Sequence, residues 1–444
     1  MADTELMALT AIEAAALIAD GELTSEAYVG ACLDRIAAMD DDVRAFVHLD
    51  PDAALMQAQA LDERQRDGEP LGALHGVPVA IKDIFDTADY PTECGSPLLK
   101  GRRTREDAAA VARLRAAGAV IIGKTVTTEC AYYHPGPTRN PHDLTRTPGG
   151  SSSGSAAAVA AEMVPLAIGS QTNGSMIRPA AFCGVYGMKP THGAISRRGA
   201  LTLSRALDHV GVFARALGDV ALMLDVLVGH DAGDADTRPV AAPDFLATAV
   251  DELPSPPRFA FVGTPFWDKA DATTRAAFEE LADALGDHCE AVDLPDVFAG
   301  AVDDQRVVMA VDMAHNLSGM IARGDESQSS ETLRAFLAEG REISAARYLE
   351  ARDNAARYRD GIAGILTDYD AIITPATVGV APVGEATGSP MFCSLWTLAG
   401  VPALSLPLLT GEAGLPLGLQ LVGAPRDDAR LLRTANWLAG RLGE

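Results

Sequence analysis

One lysine and two serine-rich stretches are the residues of this chain best suited to chemistry. Lys82 ends the apolar run Val79–Ile81, and the stretches GGSSSGS (149–155) and GSQTNGSMIR (169–178) follow. Burial lowers the pKa of a lysine, so that its neutral amine acts as a base near neutral pH. A Ser–Lys pair then replaces Ser–His in attack on a carbonyl. The pattern predicts a hydrolase that works without histidine; the alternative is a solvated lysine at a strand end.

Both serine stretches are set up to present backbone N–H groups. The first, Gly149–Ser155, runs directly into AAAVAA, which favours a helix over a flexible linker. Small residues that open a helix leave N–H groups unpaired, and these bind an anion or oxyanion. In the second stretch, Thr172, Asn173 and Gly174 place successive N–H groups before Ser175.

Two further motifs match known patterns only in their letters. Residues 118–125 (GAVIIGKT) fit the phosphate-binding pattern G-x-x-x-x-G-K-[ST], but AVII is an apolar strand whose N–H groups pair with neighbouring strands. Residues 150–154 (GSSSG) fit G-x-S-x-G, yet a polar loop precedes them where that motif needs a buried strand. Neither nucleotide binding nor a nucleophile elbow is expected.

Composition excludes several classes of function. The 444 residues carry 36 basic and 61 acidic side chains, a net charge of −25, which argues against a nucleic-acid groove. No apolar run is long enough to span a membrane, and the N-terminus lacks the basic region of a signal peptide. Six scattered cysteines form no C-x-x-C pair and nine histidines no metal-ligand spacing. We therefore expect a cytoplasmic protein with no metal or cofactor and no nucleic-acid or membrane partner.

Short β-branched runs alternate with alanine-rich helical segments through much of the chain, which predicts an α/β protein. We predict one domain, 1–444, with a large mixed, twisted sheet sandwiched between helices (α/β/α). Within it, residues 1–70 form N-terminal helices and 71–230 the core. Residues 231–366 form a variable helical region, and 367–444 supply late strands and a helix that complete the sheet.

These segments resemble the amidase signature family. Residues 147–190 follow that family's long Gly/Ser-rich signature almost continuously, and similarity extends to 123–125, 368–375 and 398–403. Only residues 240–365 carry little of it. The resemblance implies the amidase signature fold and a serine amidohydrolase that acts on linear amides, C–N bonds other than peptide bonds. Related anilides, esters or carbamates (urethanes) would undergo the same acyl chemistry.

The resemblance also implies a Ser–cis-Ser–Lys triad. Ser175 matches the nucleophile that forms the acyl-enzyme. Ser151 matches the bridging serine, whose peptide bond is cis in the family, and Lys82 matches the base. The oxyanion hole would be formed by four successive residues: Thr172, Asn173, Gly174 and Ser175.

The nucleophile loop departs from the commonest family form, DTGGSIR. Here it reads QTNGSMIR, so that Gln171 replaces an acidic residue and Arg178 stands one place later. This variant is most similar to the malonamidase branch, where the matching arginine can anchor a substrate carboxylate; the alternative for Arg178 is a structural ion pair beneath the loop. Further candidates for the pocket wall, each of which is otherwise a core residue, are Gln171, Met176, Tyr132, Tyr133, Phe392 and Trp396.

Two other functions stay open at this point. Within the family, the chain is alternatively the amidase subunit of a tRNA-dependent amidotransferase or of another multi-subunit complex. From another class, it is a binding protein that keeps the fold without catalysis. The main prediction is an enzyme for a small-molecule amide or carbamate that functions as a monomer or homodimer.

Overall fold

A single mixed β-sheet organises the chain. The computed structural model describes residues 3–443; residues 1, 2 and 444, which the predicted domain includes, lie outside the described residues. The sheet has eleven strands within that range. The strands are β1 (Phe46–Leu49), β2 (Pro78–Lys82), β3 (Val120–Thr125), β4 (Leu166–Gln171), β5 (Tyr186–Lys189), β6 (His209–Ala214), β7 (Phe259–Phe261), β8 (Cys289–Ala291), β9 (Ala371–Pro375), β10 (Ala403–Thr410) and β11 (Pro416–Val422).

The strand order is β1-β3-β2-β4-β6-β5-β10-β11-β9-β7-β8. Strand β2 pairs in parallel with both β3 and β4, and β7 pairs in parallel with β8 and β9. The other neighbours are antiparallel, including β10 with β5, which joins the late strands to the early ones. The predicted α/β fold, with one mixed sheet completed by the end of the chain, is confirmed.

Helices cover both faces of this sheet. They are α1 (Asp3–Ala8), α2 (Ala11–Ala19), α3 (Ser25–Val43), α4 (Pro51–Arg66), α5 (Ala109–Ala116), α6 (Ser153–Ala160), α7 (Ile177–Cys183), α8 (Leu217–Leu227), α9 (Phe245–Val250), α10 (Ala272–Leu285), α11 (Ala301–Asn316), α12 (Ser318–Arg323), α13 (Glu331–Glu342), α14 (Ala345–Ile365), α15 (Met391–Ala399) and α16 (Asp428–Gly443). Many begin at a capping side chain, as at Thr10, which forms a capping box with Glu13. None of the described helices is long and apolar enough to cross a membrane.

Alternate residues of the central strands point to opposite helical layers. Val79 and Ile81 pack in one buried cluster with residues of α5, α8 and α16, whereas Ala80 packs in another with residues of α3, α4 and α6. This period of two is that of a strand buried on both faces. The sheet is therefore the middle layer of an α/β/α sandwich.

The topology brings three chain segments to one edge of the sheet. Strands β2 and β4 are parallel neighbours, so Lys82 and Gln171, their last residues, end at the same edge. Strand β6 runs antiparallel to β4 and pairs His209 with Gln171, which puts Asp208 at that edge too. The predicted base and the predicted nucleophile loop thus come together through non-local pairing.

Candidate active site

Lys82 lies at the centre of a cluster of hydroxyl groups. Its side chain is fully buried, and its Nζ donates to Ser151 Oγ at 2.8 Å, to Ser170 Oγ at 2.8 Å and to Ser152 Oγ at 3.0 Å. The Ser152 hydroxyl itself donates to the backbone carbonyl of Ser170 at 3.2 Å. The solvated lysine considered from the sequence is therefore excluded.

Burial lowers the pKa of Lys82 well below its ordinary value, because the charged form loses hydration. The charges of Asp208 and, less strongly, Cys94 oppose this shift and raise the pKa. None of the carboxylates whose side chains the structure describes forms an ion pair with Lys82. The neighbouring Asp83 is bound instead to Lys124, at 3.0 Å. The surroundings therefore favour a neutral amine.

Ser151 sits at the turn that leads into α6. The Gly150–Ser151 peptide bond is cis, as the family resemblance implies. The carbonyl of Gly150 accepts a hydrogen bond from Arg178 Nη2 at 2.6 Å, and the carbonyl of Ser151 accepts one from Thr128 N at 3.3 Å. Gly149 has φ of +83°, and a Cβ there would lie 2.9 Å from the Cα of Pro179. Backbone contacts on both sides thus hold Ser151 against Lys82.

Gln171 braces the loop that carries Ser175. Its Oε1 accepts hydrogen bonds from the N–H groups of Met176 at 2.7 Å and Ile177 at 3.0 Å, at the start of α7. Its Nε2 donates to Thr397 Oγ1 at 2.9 Å, and that hydroxyl donates to the carbonyl of Asn173 at 2.5 Å. One neutral side chain thus ties both ends of the loop to each other and to α15.

The side chains of the loop are also held individually. Thr172 Oγ1 donates to Asp208 Oδ1 at 2.7 Å, and the carbonyl of Thr172 accepts from Gln305 Nε2 at 3.0 Å. Asn173 Nδ2 donates to the hydroxyl of Tyr133 at 3.3 Å, while its Oδ1 accepts from Ser394 Oγ at 2.6 Å. The loop is therefore fixed before any substrate binds, as a preorganised site requires.

Ser175 and Ser151 line the same cavity, beside Thr172 and Asn173. The cavity has a volume of about 20 Å³, room for roughly one water molecule. The remaining lining residues are Ala131, Tyr132, Tyr133, Arg178 and Met309. Ser175 is 7% exposed, so it is reached only through this narrow opening.

Arg178 is a buried cation without an acidic partner in the described part of the chain. Its Nη2 donates to Gly150 and its Nη1 to the carbonyl of Gly388 at 3.0 Å. Its Nε has no partner, and its guanidinium carbon lies 5.8 Å from the centre of the Tyr133 ring. The structural ion pair considered from the sequence is absent among the side chains that the structure describes. The group instead borders the cavity with positive charge that no carboxylate neutralises.

Of the six predicted wall residues, two lie in the cavity wall. Tyr132 stacks on Phe336 at 4.4 Å between ring centres, and Tyr133 contacts Asn173 as described. The other four are not brought to the cavity: Gln171, Met176, Phe392 and Trp396.

Helix geometry explains why Phe392 and Trp396, both on α15, do not line the cavity. Ser394 and Thr397, three positions apart on α15, face the nucleophile loop. Trp396 therefore points away from the loop, into the core, and Phe392 is likewise fully buried. Met176 packs beneath the loop, where its sulfur lies 3.8 Å from Ser152 Oγ.

Known proteins resemble this sequence over most of its length. The sequence model of the family described as Amidase matches residues 27–432. The chain belongs to the amidase family. Among curated amidase relatives, a glutamyl-tRNA(Gln) amidotransferase subunit from Chloroflexus aurantiacus is 37% identical over 478 residues, covering 98% of this chain and 96% of that protein. The protein of the same name from Salinispora arenicola is 37% identical over 486 residues, covering 99% and 98%.

Several solved structures share the fold over nearly the whole chain. The native peptide amidase from Stenotrophomonas maltophilia has a TM-score of 0.86 at 32% identity, covering 98% of this chain and 97% of that one. A structure described as a vestigial complex that reveals the origins of an s-triazine catabolic enzyme has a TM-score of 0.90 at 32% identity, with 97% and 98% covered. The 6-aminohexanoate cyclic dimer hydrolase bound to substrate gives 0.88 at 26% identity, with 99% and 98% covered.

Proposed function

We propose that this amidase hydrolyses a small linear amide through an acyl-enzyme on Ser175, with Ser151 and Lys82 as a proton relay. One observation carries the proposal: a fully buried lysine lies 2.8 Å from Ser151 Oγ, and Ser151 shares a narrow cavity with Ser175. A neutral amine has two hydrogens and one lone pair. Because the Ser152 proton is committed to a backbone carbonyl, Lys82 donates to Ser152 and keeps its lone pair for the proton of Ser151.

The relay moves one proton out and back. As Ser175 Oγ attacks the amide carbon, Ser151 takes the proton of Ser175 and passes its own to Lys82. When the tetrahedral intermediate collapses, Lys82 returns its proton to Ser151, and Ser151 gives a proton to the departing nitrogen. The nitrogen then leaves as a neutral amine. Water repeats the sequence on the ester and frees the acid.

We assign the oxyanion hole to the loop from Thr172 to Ser175. The bonds from Gln171 and Asp208 hold this loop in one conformation, so that its N–H groups need no reorganisation as negative charge develops on the substrate oxygen. The chemistry requires no metal and no cofactor, because the base and the oxyanion donors are all supplied by the chain. A chelator should leave the rate unchanged.

For the substrate, we propose an amide that carries a carboxylate near the scissile bond. Arg178 borders the cavity with no acidic partner and one unpaired N–H, which suits a substrate carboxylate. Tyr132 and Tyr133 favour a small or aryl group beside it. Anilides, esters and carbamates that fit would also be cleaved, since only the leaving group changes.

The test compares two p-nitroanilides that release the same chromophore. One is the mono-p-nitroanilide of a short dicarboxylic acid, and the other is neutral p-nitroacetanilide. Arg178→Met should raise KM for the acidic compound roughly 10- to 100-fold more than for the neutral one, because only the acidic compound loses hydrogen bonds to a charged group. A loss common to both compounds measures the support that Arg178 gives to Gly150 and Gly388. Equal losses on both compounds would mean that Arg178 only supports Gly150 and Gly388.

A second candidate is the amidase subunit of an amidotransferase. The 37% identity to the Chloroflexus protein favours it and weighs against the expectation that no nucleic acid is involved. The net charge of −25 favours a free-standing hydrolase, because a surface that approaches tRNA needs basic charge. Turnover of the anilides by the purified chain, as a monomer or homodimer, would support the hydrolase; glutaminase activity that requires additional protein partners would support the alternative.

A catalytically silent binding protein is the remaining alternative. It predicts that Ser175→Ala leaves every measured property unchanged, whereas the proposed function predicts loss of turnover in a folded protein. A cytoplasmic location stays part of the proposal, since all six cysteines are free thiols.

A further inference from the structure

Asp208 is a buried carboxylate whose hydrogen bonds converge on the nucleophile loop. Its Oδ1 accepts from Thr172 Oγ1 at 2.7 Å. Its Oδ2 accepts from the N–H groups of Leu203 at 2.9 Å and Ser204 at 3.0 Å. All three partners are donors, which only an ionised carboxylate can satisfy fully. The described residues include no cation in an ion pair with it.

The loop's own backbone connects Asp208 to the reaction. Ser170 lies in β4 and Thr172 follows directly after the end of that strand, and both line the same cavity. Ser170 Oγ contacts Lys82 Nζ, and Thr172 Oγ1 contacts Asp208. Thr172 also lines the cavity that holds Ser175. A movement of the Thr172 side chain would therefore shift the backbone next to both proposed reacting groups.

Asp208 is accessible to water from a second cavity. This cavity, of about 320 Å³, is lined by Ser170, Thr172 and Asp208 and opens past Arg197 and Arg205. Thr172 belongs to the walls of both cavities, so the Thr172–Asp208 hydrogen bond lies between them. Asp208 therefore borders a cavity whose lining does not include Ser175.

The charges that face Asp208 come from several elements. Lys82 approaches from β2, and Asp208 is the main carboxylate that raises the pKa of that lysine. Arg197, across the second cavity, is already paired with Asp234 at 2.7 Å. The ring of the adjacent His209 is turned away, with Nδ1 2.6 Å from the carbonyl of Leu207. Burial raises the pKa of Asp208 to about 6, with its three hydrogen bonds opposing that shift.

Resting on the proposed function, we infer that Asp208 is a positioning residue for amide hydrolysis: it fixes Thr172 at the start of the oxyanion loop and places a negative charge behind the Lys82 base. The two effects are separable. The hydrogen bond sets how well the loop receives the oxyanion, which governs kcat. The charge sets the pH at which Lys82 loses its proton.

Three variants test this: Asp208→Asn, Thr172→Val and, as the matched control, Thr172→Ser. We expect Asp208→Asn and Thr172→Val each to lower kcat on p-nitroacetanilide roughly 10- to 100-fold with little change in KM. Thr172→Ser keeps the hydroxyl and should recover part of the rate that Thr172→Val loses, because the hydrogen bond to Asp208 can form again. In Asp208→Asn alone, the rising limb of the pH profile should move to lower pH, because Lys82-H⁺ loses a stabilising charge.

The rate at which a fluorophosphonate labels Ser175 gives the same profile without turnover. A pH limb that stays in place in Asp208→Asn, or a Thr172→Val enzyme as fast as the wild type, would overturn the inference even if Asp208→Asn folds poorly. A wild-type chain that neither labels nor turns over would overturn the proposed function and, with it, this role. If the wild type is labelled normally and the variants keep its pH profile and its rate, only the role of Asp208 is refuted.

Discussion

Replacing Lys82 with methionine should abolish most activity without unfolding the protein. The side chain keeps its length but loses the amine that lies 2.8 Å from Ser151 Oγ and is proposed to accept its proton. General-base catalysis contributes about 10²- to 10⁴-fold, so kcat/KM should fall by that factor, equivalent to roughly 3–5 kcal/mol in the barrier. Release of p-nitroaniline at neutral pH measures it directly.

The structure also gives the sign of the stability change. Burial depresses the folded-state pKa of Lys82 below the unfolded value of 10.5, so at neutral pH the unfolded chain binds the extra proton. This opposes folding, and the wild type should gain stability as pH rises toward 10.5. Lys82→Met removes that dependence. Ser152 keeps its bond to a backbone carbonyl, and Ser151 and Ser170 border cavities that admit water. The Tm of Lys82→Met at pH 7 should therefore be at least that of the wild type. The difference in Tm between the two should become smaller at alkaline pH.

Lys189 offers a matched control. It is also fully buried in the sheet, and burial lowers its pKa to about 7, but it contacts backbone carbonyls, among them that of Val401, and no hydroxyl. Lys189→Met should remove the same kind of pH dependence from the stability while keeping near wild-type kcat/KM. The reasoning is refuted if Lys82→Met retains activity within tenfold of the wild type, or if both variants lose activity equally.

Three further results are expected. Ser151→Ala should lower kcat about 10²- to 10⁴-fold, because the proton relay is interrupted. The control Ser153→Ala should change kcat little, because that hydroxyl donates to the carbonyl of Val126 at 3.3 Å. Steady-state rates of the two variants test this prediction. Gln171→Leu leaves two N–H groups at the start of α7 without an acceptor, so the free energy of unfolding should fall by about 2–5 kcal/mol in urea titration, and Gln171→Glu should recover part of it. Wild-type kcat/KM should rise with pH as Lys82 loses its proton, since burial lowers the pKa of this lysine well below its ordinary value. A profile that falls instead would point to a different base.

The local pattern of the sequence was enough to predict the fold class and the main site candidates. The apolar run before Lys82 indicated a buried strand, and the small residues around Ser151 and Ser175 indicated tight backbone contacts. The strand predicted at residues 119–122 is confirmed from Val120 onward, where β3 begins. Lys124 lies buried in that strand, bound to Asp83 and not exposed for a phosphate.

What the sequence did not reveal depends on pairing between distant segments. Asp208 reaches the loop only because β6 lies antiparallel to β4, and Ser170 reaches Lys82 only because β2 and β4 are parallel neighbours. Gln305 and Met309, which contact or line the site, come from α11, in the region with little family signature. Gln171 was expected to face the substrate, but its amide forms two hydrogen bonds at the start of α7 and a third with Thr397 on α15. These bonds could not be recognised from its neighbours in sequence.

The central claim is that Ser175 is a nucleophile activated through Lys82. Intact-protein mass after treatment with a fluorophosphonate, followed by peptide mapping, tests it most directly. The account predicts one adduct on Ser175 in the wild type, at a rate that rises with pH, and almost none in Lys82→Met. An adduct on another residue, or equal labelling of Ser175 in Lys82→Met, would contradict it.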